Sequence, residues 1–83
     1  MVGGGAVSGE DAEAWVHPTA LVEADVTLGA GTRIWDGVHI RQHTCLGRSC
    51  IVGEKTHIAY GVRIGDFVKI NAGVYICTGV EIA

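Results

Sequence analysis

The sequence predicts an all-β protein in which short parallel strands coil around one narrow core, and three observations carry that prediction. Stepping by six from Val16 gives Val16, Val22, Leu28, Ile34, Ile40, Leu46, Val52, Ile58, Ile64, Ile70, Ile76 and Ile82, twelve aliphatic residues in twelve positions. Four residues after each of the first eleven stand Ala20, Val26, Thr32, Val38, Thr44, Cys50, Thr56, Val62, Val68, Val74 and Val80, all small or β-branched. The fourth position of the hexad carries Gly31, Gly37, Gly61, Gly73 and Gly79, with Asp25 also suited to a corner. A period of six belongs neither to a helix nor to an ordinary strand, and such self-similarity marks a repeat architecture.

Each hexad reads as one short strand followed by one corner. The aliphatic residue and the residue two before it point inward, and their immediate neighbours point outward, because side chains alternate along a strand. Corners require a permissive backbone, which the glycines supply. Three sides are the fewest that enclose a core, since two collapse into a flat sandwich and four leave a centre too wide for one Ile or Val per side. Three hexads make a coil of 18 residues, so residues 18 apart stack about 4.8 Å apart in parallel, in-register strands. Somewhat under four coils fit between Trp15 and Ala83.

In chain order, residues 1–14 come first and read as a flexible tail, rich in Gly and Ala and holding the acids Glu10, Asp11 and Glu13. Residues 15–83 form the coil domain, and its hexads fall on three faces. The first face presents Trp15, Arg33, Ile51 and Lys69 in one outward column and His17, Trp35, Gly53 and Asn71 in the other. The second presents Leu21, His39, His57 and Tyr75 beside Glu23, Arg41, Ala59 and Cys77. The third presents Thr27, Cys45, Arg63 and Glu81 beside Gly29, Gly47, Gly65 and Ala83. Cys50 falls in the core and His43 at a corner.

Composition narrows the function. A chain of 83 residues and 8.7 kDa is one domain, and at this size only about 60% of the unfolded surface is buried, so stability calls for outside help. Three cysteines without paired spacing do not form a disulfide framework, and Met1–Gly5 lacks the features of a signal peptide, which points to a reducing cytoplasm. No apolar run is long enough to span a membrane. From Val16 onward six acids balance six bases, so no basic stripe is available for nucleic acid. Self-association is left as the source of stability. Outward Trp35 and Phe67 fit an interface better than water.

The repeat resembles that of the hexapeptide-repeat acyltransferases, which implies a left-handed parallel β-helix assembled as a homotrimer. Within that superfamily, "WVHPTALVEADVTLGAGTRIWDGVHI" followed by "VRIGDFVKINAGVYICTGVEI" is similar to the N-terminal half of bacterial N-acetyltransferases that modify the 3-amino group of a UDP-linked 2-acetamido-3-amino uronic acid. The words "VHPTA", "GTRIW" and "VHIR" carry the match, over residues 15–82. The resemblance implies acetyl-CoA as acyl donor and a sugar nucleotide as acceptor. His57 is then the general base for the amine, because neutral imidazole accepts a proton near pH 7. Asn71 stands near the position of a family asparagine pair and joins His57 as a catalytic candidate. His39, Arg41 and Tyr75 are the candidates for substrate binding.

Other readings of the same residues stand beside these. Stacked His39, His57 and Tyr75 also suit an amphipathic seam between subunits, which makes the chain a non-catalytic trimeric scaffold or interaction module. Family members continue through further coils that bind acetyl-CoA, and Ala83 falls short of those. Trimeric β-helices related to gamma-class carbonic anhydrase bind zinc through shared histidines, and His39 and His57 would supply two ligands, but the histidine spacings of that group are absent and no metal is expected. The glycine column of the third face admits either a thin ligand such as a pantetheine arm or another backbone, and glycine is also a frequent choice there. Finally, the C-terminal rim around Ile70 and Ile76 offers unpaired strand groups, so two trimers are expected to meet end to end through it, or a partner chain to cap it.

Overall fold

The structure is a computed structural model and describes residues 14–83. The tail expected over residues 1–14 therefore lies outside the described residues, apart from Ala14. Twelve strands of two residues each follow in order: β1 (Trp15–Val16), β2 (Leu21–Val22), β3 (Thr27–Leu28), β4 (Arg33–Ile34), β5 (His39–Ile40), β6 (Cys45–Leu46), β7 (Ile51–Val52), β8 (His57–Ile58), β9 (Arg63–Ile64), β10 (Lys69–Ile70), β11 (Tyr75–Ile76) and β12 (Glu81–Ile82). They form three parallel sheets, β1-β4-β7-β10, β2-β5-β8-β11 and β3-β6-β9-β12. Partners lie 18 residues apart throughout, as in Trp15↔Arg33, His39↔His57 and Cys45↔Arg63. The fold is a parallel β-helix of about four coils with an aliphatic axis. No helix among the described residues is long and apolar enough to cross a membrane.

The coils are joined along the axis by a regular set of hydrogen bonds. On each face an N–H donates to the carbonyl 17 residues later, at 2.7–3.1 Å, as from Trp15 to Thr32 and from Gly65 to Ile82. Corner N–H groups donate in the opposite direction, as from Lys55 to Asp36 and from Phe67 to Arg48. The first corner uses a side chain instead: Thr19 Oγ1 accepts the Gly37 N–H at 3.0 Å, and the Thr19 N–H donates to His17 Nδ1 at 3.1 Å. The "VHPTA" word is thus the start of the coil stack.

Inward positions match the expected alternation. Ile34, Ile40, Val52, Ile58, Val62 and Cys50 are completely buried, and Leu28, Leu46, Ile64, Ile70 and Ile76 nearly so. Each such side chain contributes about 1.5–3 kcal/mol by leaving water. Buried Thr32, Thr44 and Thr56 add a feature that the pattern of small residues did not announce. Each hydroxyl donates to a carbonyl of the next coil, Gly47 O, Ala59 O and Asn71 O respectively, at 2.8–2.9 Å. Each also accepts an N–H from that coil, from Cys50, Val62 and Val74. Cys50 holds the same register and donates its thiol to Gly65 O at 3.0 Å.

Corners are left-handed at every fourth hexad position from Asp25 to Gly79. The glycines and Asp25 were expected there, and His43 was placed at a corner. Ser49, Lys55 and Phe67 share the conformation, with φ of 54°, 60° and 61°. A β-carbon in this region costs about 1–2 kcal/mol, so the stacking of neighbouring coils overrides local preference.

Candidate functional site

The second face carries the site. Leu21, His39, His57 and Tyr75 begin β2, β5, β8 and β11 and project outward one rung apart. The His39 and His57 rings meet edge to face with centroids 4.9 Å apart, and His57 lies nearly parallel to Tyr75 at 5.0 Å. The aromatic column is thus continuous across three coils.

Beside it, Glu23 organises two further groups. His39 Nε2 lies 2.8 Å from Glu23 Oε2, and a carboxylate only accepts, so Nε2 carries the proton. Arg41 Nε, buried and without the alignment of a hydrogen bond, lies 2.8 Å from the same oxygen and forms an ion pair with it. Glu23 Oε1 accepts the Gln42 N–H at 3.2 Å. The hydrogen bond from His39 holds the Glu23 carboxyl below its ordinary range against an opposing loss of hydration, and Arg41 reinforces the effect. On its other side, Arg41 donates from Nη2 to the Tyr60 hydroxyl, with its guanidinium 4.3 Å from the Tyr60 ring centroid.

His57 is half-buried between its neighbours. Loss of hydration lowers its pKa from the ordinary 6.5, and the nearby charges of His39 and Arg41 lower it further while Glu23 opposes them. A neutral imidazole keeps one nitrogen as a proton acceptor. The column therefore presents a base at neutral pH next to a cation held by a carboxylate.

Four of the five candidate residues, His39, Arg41, His57 and Tyr75, come together on this face. Asn71 does not join them: it follows β10 on the first face, exposed, with its carbonyl bound by Thr56. Sequence reasoning gave Glu23 a place beside His39 but no role, and it did not single out Tyr60. The signal for Glu23 was present in its spacing of 18 from Arg41. Tyr60 lies one residue further, at 19, where only the path of the corner brings it under the guanidinium. Among the described residues no three His, Cys, Asp or Glu side chains gather as a metal site.

On the third face the glycine column lies tight against the chain's own backbone. A β-carbon at Gly29 would stand 2.5 Å from the Gly47 carbonyl carbon, and one at Gly65 would stand 2.9 Å from that of Ala83. Contacts this short do not occur, so the glycines admit the backbone of the chain's own next coil.

Six-residue repeats, three to a coil around an aliphatic axis, define the class of protein: a hexapeptide-repeat β-solenoid with an ionisable column on one face. No protein-family model matches the chain. Over 55 residues, 66% of this chain and 12% of the relative, it is 34% identical to the bifunctional protein GlmU of Alkaliphilus oremlandii. Over 58 residues, 70% of this chain and 21% of the relative, it is 31% identical to the acyl-(acyl-carrier-protein)--UDP-N-acetylglucosamine O-acyltransferase of Brucella ovis, and equally to that of Brucella canis. The chain spans 12% to 21% of the length of these curated relatives. Fold and relatives together support the hexapeptide-repeat acyltransferase superfamily.

Proposed function

We propose that these coils belong to an acyltransferase acting on an amino-sugar nucleotide, with His57 as general base and acetyl-CoA as acyl donor. The observation that carries the reading is a neutral, half-buried imidazole held between two rings in an outward column. In the reaction the acceptor amine attacks the thioester carbonyl carbon, a C–N bond forms and the C–S bond breaks. The amine proton passes to His57 and on to the departing thiolate. Arg41, fixed by Glu23 and Tyr60, faces the acceptor's anionic part, and His39 and Tyr75 line its approach.

The test is acetyl transfer to a UDP-linked amino sugar, followed by thiol release. His57→Ala should lower the rate by about 100-fold or more with assembly intact. A variant that transfers at the wild-type rate sinks the proposal.

A second reading, a non-catalytic trimeric module in the cytoplasm, draws on the exposure of Leu21, Tyr75 and Phe67, at 55%, 63% and 71%. Under that reading acetyl-CoA produces no heat of binding in calorimetry, and His57→Ala weakens the trimer instead.

A further inference from the structure

Ahead of the first strand the sequence carries three acids, Glu10, Asp11 and Glu13, and residues 1–13 contain no Lys, Arg or His. Counting back six from Val16 reaches Glu10, a carboxylate where the axis takes an aliphatic residue, so the hexad pattern stops between the two. A carboxylate without a partner is costly in an apolar core. The acids therefore need a place outside it, close to Ala14, through which they are joined to the coil and which packs against the core.

The first face offers such a place beside the point of attachment. Trp15 is in register with Arg33, and with Gly31 and Trp35 these residues line a depression of about 260 Å³. The two indoles pack edge to face with centroids 5.2 Å apart, and both stay exposed, at 40% and 38%. The polar side-chain atoms of this lining are all donors, on one guanidinium and two indoles, whereas a carboxylate only accepts. Arg33 lies one rung, about 4.8 Å, from Trp15. Each residue of extended chain spans up to about 3.5 Å, so all three acids reach that rung.

Other cations suit the acids less well. Arg41 and Arg48 are paired with Glu23 and Asp66. Arg63 shares a depression with Asp66 and Glu81, and Lys69 shares one with Glu54. Lys55 directly follows Glu54 and sits at a corner of a later coil. Among the described residues, Arg33 is the cation that joins nearness to Ala14 with a depression free of carboxylates.

We propose that residues 10–13 fold back as an intramolecular ligand of the first face, with carboxylates against Arg33 and with Ala12 and the glutamate methylenes over Trp15 and Trp35. Covalent attachment keeps the segment at high effective concentration, which compensates for the weakness of each exposed ion contact. The cradle is then self-occupied, and any external anion has to displace the chain's own acids. The inference is separate from acyl transfer and stands whether or not His57 is a base.

Trp15 and Trp35 are the two tryptophans of the chain, so its intrinsic fluorescence reports this cradle. The experiment measures quenching by acrylamide, a neutral probe, in the full chain and in the triple variant Glu10→Gln, Asp11→Asn, Glu13→Gln. The quenching constant should rise about twofold in the variant, since an exposed ion contact shifts an equilibrium by about that factor. Arg33→Gln should give the same rise, and adding the triple substitution to it should give no more. Salt at about 1 M should raise quenching in the unaltered chain, because charges are then screened beyond about 3 Å, and should leave the triple variant unchanged. Equal quenching in the full chain and the triple variant overturns the proposal, as does a salt effect of the same size in both. Protection that fades as the full chain is diluted assigns the acids to a neighbouring copy and overturns the intramolecular contact. Circular dichroism checks that Arg33→Gln keeps the coil, and the salt comparison needs no substitution in the coil at all.

Discussion

Thr44 illustrates how much one buried side chain holds in a core this narrow. Its hydroxyl joins two coils by donating to Ala59 O and accepting from the Val62 N–H, and it is wholly buried. Thr44→Val keeps the shape and strands both backbone partners, so the variant should lose about 1–3 kcal/mol, measured by denaturant unfolding. Protonation at His57 is the second residue-scale effect. Its folded pKa lies below 6.5, so just beneath that pH the unfolded chain binds more protons, and stability should fall as pH drops from neutral through this range. Glu23 adds a loss in the same direction at more acid pH, because its lowered folded pKa gives stability that is present above 4.5 and disappears as the carboxylate is protonated. Melting temperature against pH checks both, and His57→Gln should flatten the upper part of the curve.

Corners set the behaviour of the elements. Phe67 adopts φ 61° and is 71% exposed, so it bears the strain of a left-handed backbone with little burial to offset it. Phe67→Gly should raise stability by about 0.5–1 kcal/mol, the relief being larger than the entropic penalty of glycine; a lower melting temperature would contradict this. Inside the strands the tolerance is reversed. Val62 is fully buried ahead of β9, and Val62→Asp should prevent folding, because its carboxylate would have no partner in the core. A native circular dichroism spectrum for this variant would refute the inward register. These elements also show where the sequence was readable. Hexad period and burial are the same physical signal, and every inward aliphatic was therefore visible. Lys55 and Phe67 resisted because their own preferences oppose the corner, and only the coils above and below impose it.

At the scale of the molecule, one thin coil leaves Trp15, Leu21, Tyr60, Phe67 and Tyr75 exposed. A trimer would cover part of this surface, and light scattering at low concentration should return three times the mass of one chain. The candidate site divides along the same line between what stacks and what does not. His39, His57 and Tyr75 were legible as a column because strand register alone aligns residues 18 apart. The contact of Glu23 with His39 spans 16 residues and that of Arg41 with Tyr60 spans 19, and side-chain reach across columns and corners is written in no periodicity.

The coil has a reading frame with two levels. Each face repeats the same inward aliphatic, so inserting or deleting one hexad returns Val, Leu or Ile to the axis and leaves the core unable to sense the change. The outward residues do sense it, because everything downstream rotates by one face. A six-residue deletion between His39 and His57 would carry His57 away from the Glu23 side while the barrel of aliphatics stayed whole. Only a change of 18 residues restores both levels, since strand partners are set at that interval. A change of one hexad thus keeps the aliphatic axis but not the columns, and a change of one whole coil keeps the register of both.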